Sequence, residues 1–348
     1  MKIQYTPLLR TRTAELHGYS ELRGEIKESI LPIFELTRSR PSKRNPGADC
    51  WKRLENIVEG HGSSPFILDL TSELDLQDQR IGDILGSPER GFERWIDFLL
   101  EVENLGLDVV PVIHFMEGEE GNVRKQIAKL SKKYEMIAFR VPFNDPSIME
   151  YIKLIRSEEV NEKCLLLIDC GYVESRNLQI FSTNVRNLIG DKLFDKFEIS
   201  ILGSGFPPSV APFGQVNGSI PLNEVLLNDL VKAGSSRKII YGDYSSIHPI
   251  RFDGFGQWVP RIDFPLDREC YYYRFRRDDG SYEEAAKRIL RDPRYKKISS
   301  TPTWGEKEIS SAAKGDINGA SPQYWISVRV NLHISRQYQR VSAEPKKK

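Results

Sequence analysis

Seven ionisable residues stand at or near the ends of short apolar segments, where the strands of a sheet would finish. They comprise four carboxylates, two arginines and one histidine: Glu35, Asp69, Asp169, Asp243, Arg10, Arg140 and His114. Carboxylate oxygens suit hard divalent cations such as Mg²⁺, arginine binds phosphate or carboxylate groups bidentately, and histidine exchanges a proton near neutral pH. Such a set could hydrolyse a phosphoester with a metal ion, or bind a charged ligand without changing it.

These residue types suggest that some of the seven are catalytic and that others bind a ligand. Two uncharged residues, Ser204 and Tyr244, lie near them in the sequence pattern and are included among the ligand-binding residues. The predicted catalytic residues are Asp169, His114 and Asp243. The predicted ligand-binding residues are Arg10, Glu35, Asp69, Arg140, Ser204 and Tyr244. The ligand would be a charged small molecule or a nucleotide, and no particular metal or cofactor is indicated. Ser204 lies in the segment GSGFP, which lacks the GxSxG pattern of a nucleophile elbow, so covalent serine catalysis is not expected.

Each of these residues also has a purely structural interpretation. An acidic residue at a strand end is often a turn or capping residue, and Arg140 with Asp169 could form an internal ion pair. His114 could be an ordinary buried histidine. The number of such residues nevertheless favours a polar site, because a buried charge costs several kcal/mol unless it is paired. A binding protein, a metal-assisted phosphoester hydrolase and a non-catalytic interaction protein all stay open, and so does whether the protein is an enzyme.

The elements that would position these residues recur along the chain. Apolar runs rich in β-branched residues alternate with longer amphipathic stretches, which is typical of parallel strands joined by helical crossovers. The apolar runs lie at 3–9, 30–36, 65–71, 108–115, 136–143, 164–170, 197–204 and 238–244. The amphipathic stretches lie at 87–106, 122–134, 145–159, 175–190 and 221–234. The pattern predicts an α/β fold, a (β/α)8 TIM-barrel-like domain, with an open doubly wound sheet as the alternative.

A barrel would bring the polar strand ends together. Side chains alternate between the barrel interior and the helix layer, and functional groups of this fold lie at the C-terminal ends of the strands. Glu35 is in phase with Ile33, and Asp169 is in phase with Leu167. If those phases face inward, the seven ionisable residues line one mouth, where two positive and four negative charges meet with the histidine neutral.

The later part of the chain loses this rhythm. We expect residues 1–292 to form the barrel, with an irregular strand-rich insertion at about 247–280 and an eighth helix at 281–292. Residues 293–348 would form a C-terminal extension packed on the barrel. Because no Pro/Gly/Ser-rich linker precedes the extension, it is not expected to be a free domain.

Two stretches in this part are ambiguous. Residues 324–338, YWISVRVNLHISRQY, could form either a strand or a helix by periodicity alone. The segment ECYYYRFRR at 269–277 interleaves tyrosine and arginine, which suits single-stranded nucleic acid. An amphipathic strand explains the same alternation, and this second interpretation is favoured.

Composition narrows the class of protein. Lys and Arg total 50 and Asp and Glu total 49, so the net charge of +1 indicates no nucleic-acid partner. The N-terminus lacks the apolar segment of a signal peptide, and no apolar run approaches the roughly 20 residues that span a bilayer. The four cysteines form no CxxC pair, which favours a reducing setting. A cytoplasmic protein without membrane contact is expected.

Several segments together resemble the phage-type Beta protein family. None is a strong motif alone, but their order and spacing match the family. The segments are YTPLLRTRTAEL, LPIFEL, FILDL, RVPFND, LLIDCG, SGFP, YGDYSSIHP and WISVRVNLHI. The family often has lysine where this chain has Arg10 or Arg12, which argues against a lysine nucleophile, and His333 stands alone where a histidine pair is expected.

What the resemblance implies is a TIM-barrel-type fold, but no particular activity. The association of the family with phages and bacterial genome islands implies a role in phage–host conflict, and a protein partner encoded nearby is expected under that role.

Overall fold

The computed structural model describes residues 3–41, 43, 46–157, 164–250 and 258–343. Residues 251–257 of the predicted strand-rich insertion therefore lie outside the described residues. Within the described residues, the strands are β1 (Tyr5–Arg10), β2 (Ile33–Leu36), β3 (Phe66–Leu70), β4 (Val109–Pro111), β5 (Ile137–Pro142), β6 (Cys164–Tyr172), β7 (Glu198–Ser204), β8 (Asn217–Pro221), β9 (Ile239–Asp243), β10 (Arg261–Pro265) and β11 (Glu269–Arg274).

Helices follow most of the strands, as the amphipathic stretches predict. They are α1 (Thr13–Ser20), α2 (Gly24–Lys27), α3 (Trp51–His61), α4 (Gln79–Leu85), α5 (Glu89–Glu103), α6 (Glu120–Lys133), α7 (Ile148–Ser157), α8 (Leu178–Gly190), α9 (Asn223–Ala233), α10 (Ser281–Arg291), α11 (Trp304–Ala312) and α12 (Pro322–Ala343). None of these helices combines the length and apolar character that a bilayer crossing requires.

Eight parallel strands form a nearly closed barrel. Their order is β4-β3-β2-β1-β9-β7-β6-β5. A parallel bridge between Val112 and Ala138 joins the two ends of this sheet, and the amide of Ile113 donates to the carbonyl of Ala138 at 2.9 Å. The TIM-barrel-like fold is therefore confirmed. The open doubly wound sheet is wrong, because its edge strands would not meet.

The barrel strands are buried on both faces, which explains their nearly continuous apolar sequences. One apolar cluster fills the interior and includes Ile33, Ile67 and Leu167. A larger cluster lies between the strands and the helices and includes Phe34 and Leu166. The phases predicted for Glu35 and Asp169 are thus those of the barrel interior, and Asp69 and Arg140 share this side with Ile67 and Ala138.

A small antiparallel sheet lies outside the barrel, in the order β10-β11-β8. The tyrosine-rich segment forms its central strand, so the strand interpretation is confirmed. Tyr271 and Tyr272 are buried and offer no ring face for stacking on a nucleic acid. Helix α10 packs on β10 and β11 rather than on the barrel, so residues 281–292 do not supply the eighth barrel helix.

Helix α12 takes that place and joins the two parts of the molecule. It contacts α1 and β1 on one side and β10 and α11 on the other. Val330 and Ile334 enter the barrel's outer core, while Val328 and Leu332 enter the core beneath the small sheet. Because both faces are buried, its sequence alternates like a strand although the segment is helical.

Candidate functional site

Six of the predicted site residues meet at the C-terminal mouth of the barrel. We call this set the mouth network: Arg10, Glu35, Asp69, Arg140, Asp169 and Tyr244. Arg140 lies at its centre. Its Nη1 donates to Glu35 at 2.5 Å and to Asp69 at 2.8 Å, and its Nε and Nη2 donate to Asp169 at 2.9 and 2.7 Å. One guanidinium therefore holds carboxylates from three strands.

Tyr244 closes the network from the end of β9. Its hydroxyl donates to Asp169 at 2.6 Å and accepts a bond from Nη2 of Arg140 at 3.0 Å. The backbone amide of Gly171 donates to the other oxygen of Asp169 at 2.9 Å. Asp169 is therefore fixed by three different groups.

Arg10 extends the network to the loop that follows β9. Its Nε donates to Glu35 at 3.1 Å. Its Nη2 donates to Glu73 and to the carbonyl of Pro249. Arg10 as a whole is 5% exposed. The carbonyl of Pro249 thus covers one side of the mouth. Glu73, which follows β3, is a fourth carboxylate that the strand-end pattern did not reveal.

Charge and burial act against each other on these carboxylates. Burial alone would raise the pKa of Glu35, but Arg140 and Arg10 hold it below its ordinary value. Burial raises the pKa of Asp69, and the charge of Glu35 adds to this effect while Arg140 opposes it. Glu35 is therefore the firmly ionised partner of both arginines.

In this geometry Glu35, Asp69 and Asp169 are already bonded to a cation, the guanidinium of Arg140. The guanidinium of Arg140 neutralises the charge that a Mg²⁺ ion would otherwise meet. Among the residues that the structure describes, no group of three or more His, Cys, Asp or Glu side chains is arranged to hold a metal ion. The mouth network is arranged as an internal ion-pair plug.

Ser204 lies beside the mouth but bonds to backbone. Its hydroxyl donates to the carbonyl of Ile247 at 2.8 Å and accepts from the amide of Phe206 at 3.1 Å. The side chain therefore fixes the segment after β9 to the end of β7. Its predicted ligand-binding role stays a prediction.

Asp243 does not belong to the mouth network, contrary to our expectation. It lies in the opposite phase of β9 from Tyr244 and faces the helix layer. His333 of α12 lies 2.9 Å from its carboxylate, and the hydroxyl of Tyr5 donates to the same group at 3.0 Å. Burial would raise the pKa of Asp243, yet its interaction and hydrogen bond with His333 hold that pKa below its ordinary value. The acid that ends this hydrophobic strand anchors the C-terminal helix.

Glu224 of α9 adds a second carboxylate to this buried place. The amide of Gly205 donates to its Oε2 at 2.6 Å, whereas its Oε1 has no partner among the described residues. Burial raises the pKa of Glu224 to about 7, with His333 opposing the shift. A group with that pKa changes charge near neutral pH.

His114 is also separate from the mouth network. Its ring packs edge-on against Trp95, with ring centres 4.9 Å apart, and its backbone is held by Gln126. Burial lowers the pKa of His114 to about 4. The side chain is therefore neutral at pH 7, and a proton-transfer role near neutral pH stays an untested prediction that this environment does not favour.

A cavity of about 430 Å³ lies beside the mouth network. Five arginines line it, of which Arg329 is paired with Asp263. We call the cavity the arginine pocket after the other four, which are Arg12, Arg38, Arg40 and Arg53. Arg12 and Arg38 follow β1 and β2 by two residues each, so the strand-end pattern points toward them. Arg53 comes from α3, and no sequence signal distinguishes it from other helical arginines.

The comparisons with known proteins give one consistent result. The Beta protein family profile matches residues 5–339. Protein beta of Enterobacteria phage P4 is 33% identical over 341 residues, which cover 96% of this chain and 92% of the phage protein. The resemblance seen in the sequence is therefore confirmed, and the chain belongs to the Beta protein family.

Proposed function

We propose that this phage-related protein is a binding protein, which recognises a charged ligand or partner at the C-terminal face of its barrel. The bonding of Arg140 carries this proposal. A hydrolytic centre needs carboxylates that are free to share a metal or to activate water, whereas Glu35, Asp69 and Asp169 are all bonded to one guanidinium. The mouth network acts as a rigid floor, and recognition takes place around it.

The family membership supports a biological setting for this binding. A relative encoded by phage P4 is consistent with a role in phage–host conflict. In that setting the protein senses or sequesters a charged molecule, alone or with a protein partner encoded nearby. A metal-assisted phosphoester hydrolase uses the same face but requires Arg140 to release its carboxylates.

A thermal-shift screen with an Asp169→Asn variant tests the proposal. Purified protein is heated with Mg²⁺ or Mn²⁺ alone, and with citrate, pyrophosphate or ADP. We expect anions to raise the Tm of the wild type, because a ligand that binds only the native state stabilises it. The variant melts at a lower temperature but keeps the anion-dependent shift, since Asp169 supports the floor without touching the ligand.

A phosphoesterase assay on the same samples separates binding from catalysis. We expect no metal-dependent release of nitrophenol from bis(p-nitrophenyl) phosphate. Turnover in the wild type that disappears in Asp169→Asn would overturn the binding function in favour of the hydrolase. A Tm that no anion changes would also contradict it.

A further inference from the structure

We propose that the arginine pocket binds the phosphate groups of a small phosphorylated ligand. The inference rests on the proposed function, because it locates the charged ligand and names its chemical class. The pocket lies beside the mouth network, and Glu15 of its lining connects the two, because the amide of Arg10 donates to the carboxylate of Glu15 at 2.7 Å. The rigid floor and the pocket are thus built on the same end of β1.

The positive charge of the pocket exceeds the negative charge beside it, because Glu15 is the one carboxylate among the described lining residues, where it interacts with Arg12 and Arg53. Arg12, Arg38, Arg40 and Arg53 form no ion pair with any carboxylate in the described part of the chain. Elsewhere the protein pairs its arginines readily, as Arg329 at the edge of the same cavity does with Asp263 at 2.8 Å. Arg12 and Arg40 act on Arg53 as like charges, so the arrangement favours an anion between them.

Arg53 is the strongest sign of a ligand. It is 6% exposed, and its Nε is buried without a hydrogen-bond partner among the described residues. Its Nη1 donates to the hydroxyl of Thr13 at 3.2 Å, which directs the side chain toward the cavity wall. Burial lowers the pKa of Arg53, and the charges of Arg40 and Arg12 add to that effect. A buried donor left without an acceptor is costly, and a phosphate oxygen would supply one.

The start of α1 adds backbone donors to the same cavity. Thr13, Ala14 and Glu15 form its first turn and line the pocket. No side chain caps this terminus. Amides in the first turn of a helix have no intrahelical acceptor, and the helix dipole favours an anion beside them. Arginines and amides together match the several oxygens of a phosphate group better than the two of a carboxylate.

An adjoining cavity gives the ligand room to extend. It has a volume of about 310 Å³ and shares Ile326 of α12 with the arginine pocket. Trp258 and Trp325 line it. A phosphate group can therefore come either from inorganic polyphosphate or from a nucleotide whose base lies against Trp258, which is 41% exposed.

Isothermal titration of the full chain tests the pocket, with sodium pyrophosphate and ADP as separate probes. We expect both to bind the wild type, and we expect Arg53→Gln and Arg12→Gln each to weaken pyrophosphate binding at least tenfold. The matched control is Arg94→Gln, which removes an equal charge from a side chain that is 60% exposed on α5. Its affinity for both probes should equal that of the wild type.

The outcomes distinguish a nucleotide from inorganic phosphate groups as the ligand. They also distinguish failure of the phosphate pocket from failure of the proposed binding function. Tighter binding of ADP than of pyrophosphate identifies a nucleotide ligand, whereas equal affinities identify the phosphate groups alone. Absence of binding by both probes, or binding that neither substitution weakens, overturns the phosphate pocket. Citrate binding would then leave the proposed function intact. Circular dichroism of Arg53→Gln verifies its fold, and Arg12→Gln, at a half-buried residue, gives the decisive value if Arg53→Gln is unfolded.

Discussion

The side chains at the barrel mouth depend on one another for their stability, as Arg140 shows. Arg140 is largely buried, with 17% of its side chain exposed. Burial would lower its pKa, but Tyr244, Asp169, Glu35 and Asp69 together hold the pKa well above its ordinary value. Desolvating these charges is expensive, and only their mutual bonds offset the cost. Removing one member therefore harms the native state more than the loss of a single bond would.

The first prediction concerns Arg140→Met. We expect it to reduce the free energy of unfolding by about 3–5 kcal/mol, because three carboxylates lose their shared partner inside the barrel. Urea denaturation followed by circular dichroism measures the change. Arg94→Met is the control, since its ion pair with Asp83 at 3.8 Å is exposed and should be worth less than about 1 kcal/mol.

Equal losses in the two variants would mean that the mouth network contributes no buried electrostatic stabilisation. The carboxylates would then behave as solvated groups, and the plug that underlies the proposed function would lose its support. Adding Mg²⁺ to Arg140→Met provides a further comparison, because the vacated site exposes the carboxylates that a metal prefers.

At the level of elements, hydrophobic patterning predicts the barrel and the phases of most strand ends. The eight apolar runs each contain a barrel strand, and alternation within a strand correctly directs Glu35 and Asp169 inward. Alternation does not settle Asp243, because Asp243 and Tyr244 are adjacent and both phases of β9 are apolar; Ile240 and Tyr244 face the barrel interior, whereas Tyr241 and Asp243 face the helix layer. Either phase of such a strand can carry a polar group if a helix supplies the partner.

The partner in question, His333, lies 90 residues further along the chain. No local pattern predicts that pairing, and the same holds for Arg53 and the arginine pocket. The hydrophobic pattern does not predict β8 either, since its sequence NGSIP has little of the apolar, β-branched character typical of a strand. These features depend on tertiary contacts that only the folded chain brings together.

The packing of α1 against α12 gives a prediction at this scale. A Cβ added at Gly18 would lie 2.4 Å from the backbone carbonyl oxygen of Ser327, and the side-chain amide of Asn331 donates to the carbonyl of Gly18 at 3.1 Å. Gly18→Ala should therefore push the two helices apart and cost about 1–3 kcal/mol. Thermal and urea denaturation measure the loss.

Gly24→Ala is the matched control for that experiment. A Cβ at Gly24 meets nothing within 4 Å, so the change should be neutral or stabilising by up to about 1 kcal/mol through reduced freedom of the unfolded chain. If Gly18→Ala is as stable as Gly24→Ala, the close approach of α1 and α12 is not required by the fold.

The molecule as a whole is joined by the buried group around His333. This histidine of α12 meets Asp243 of β9, with Glu224 of α9 as an interacting neighbour. The group thus links the end of the barrel to the helix that also packs on the small sheet. Since Glu224 changes charge near neutral pH, the cohesion of the whole chain should respond to pH.

The last prediction is that the free energy of unfolding falls as pH rises. Burial raises the pKa of Glu224 from 4.5 to about 7 in the native state. Between these two values the native protein keeps a proton that the unfolded chain has released, so stability falls as pH rises through the window. Glu15, whose pKa burial also raises to about 7, acts in the same direction. The wild type should be more stable at pH 5 than at pH 8 with respect to these two groups.

Glu224→Gln resembles the protonated side chain at every pH and should remove part of this dependence. We expect its stability relative to the wild type to be roughly 2–3 kcal/mol more favourable at pH 8 than at pH 5, at about 1.4 kcal/mol per pKa unit. Urea denaturation at both values measures the difference. Glu59→Gln, at an exposed position of α3, should follow the wild-type profile. If Glu224→Gln follows it too, Glu224 titrates over the same pH range in the native and unfolded states, and it is not the source of a pH response of the fold.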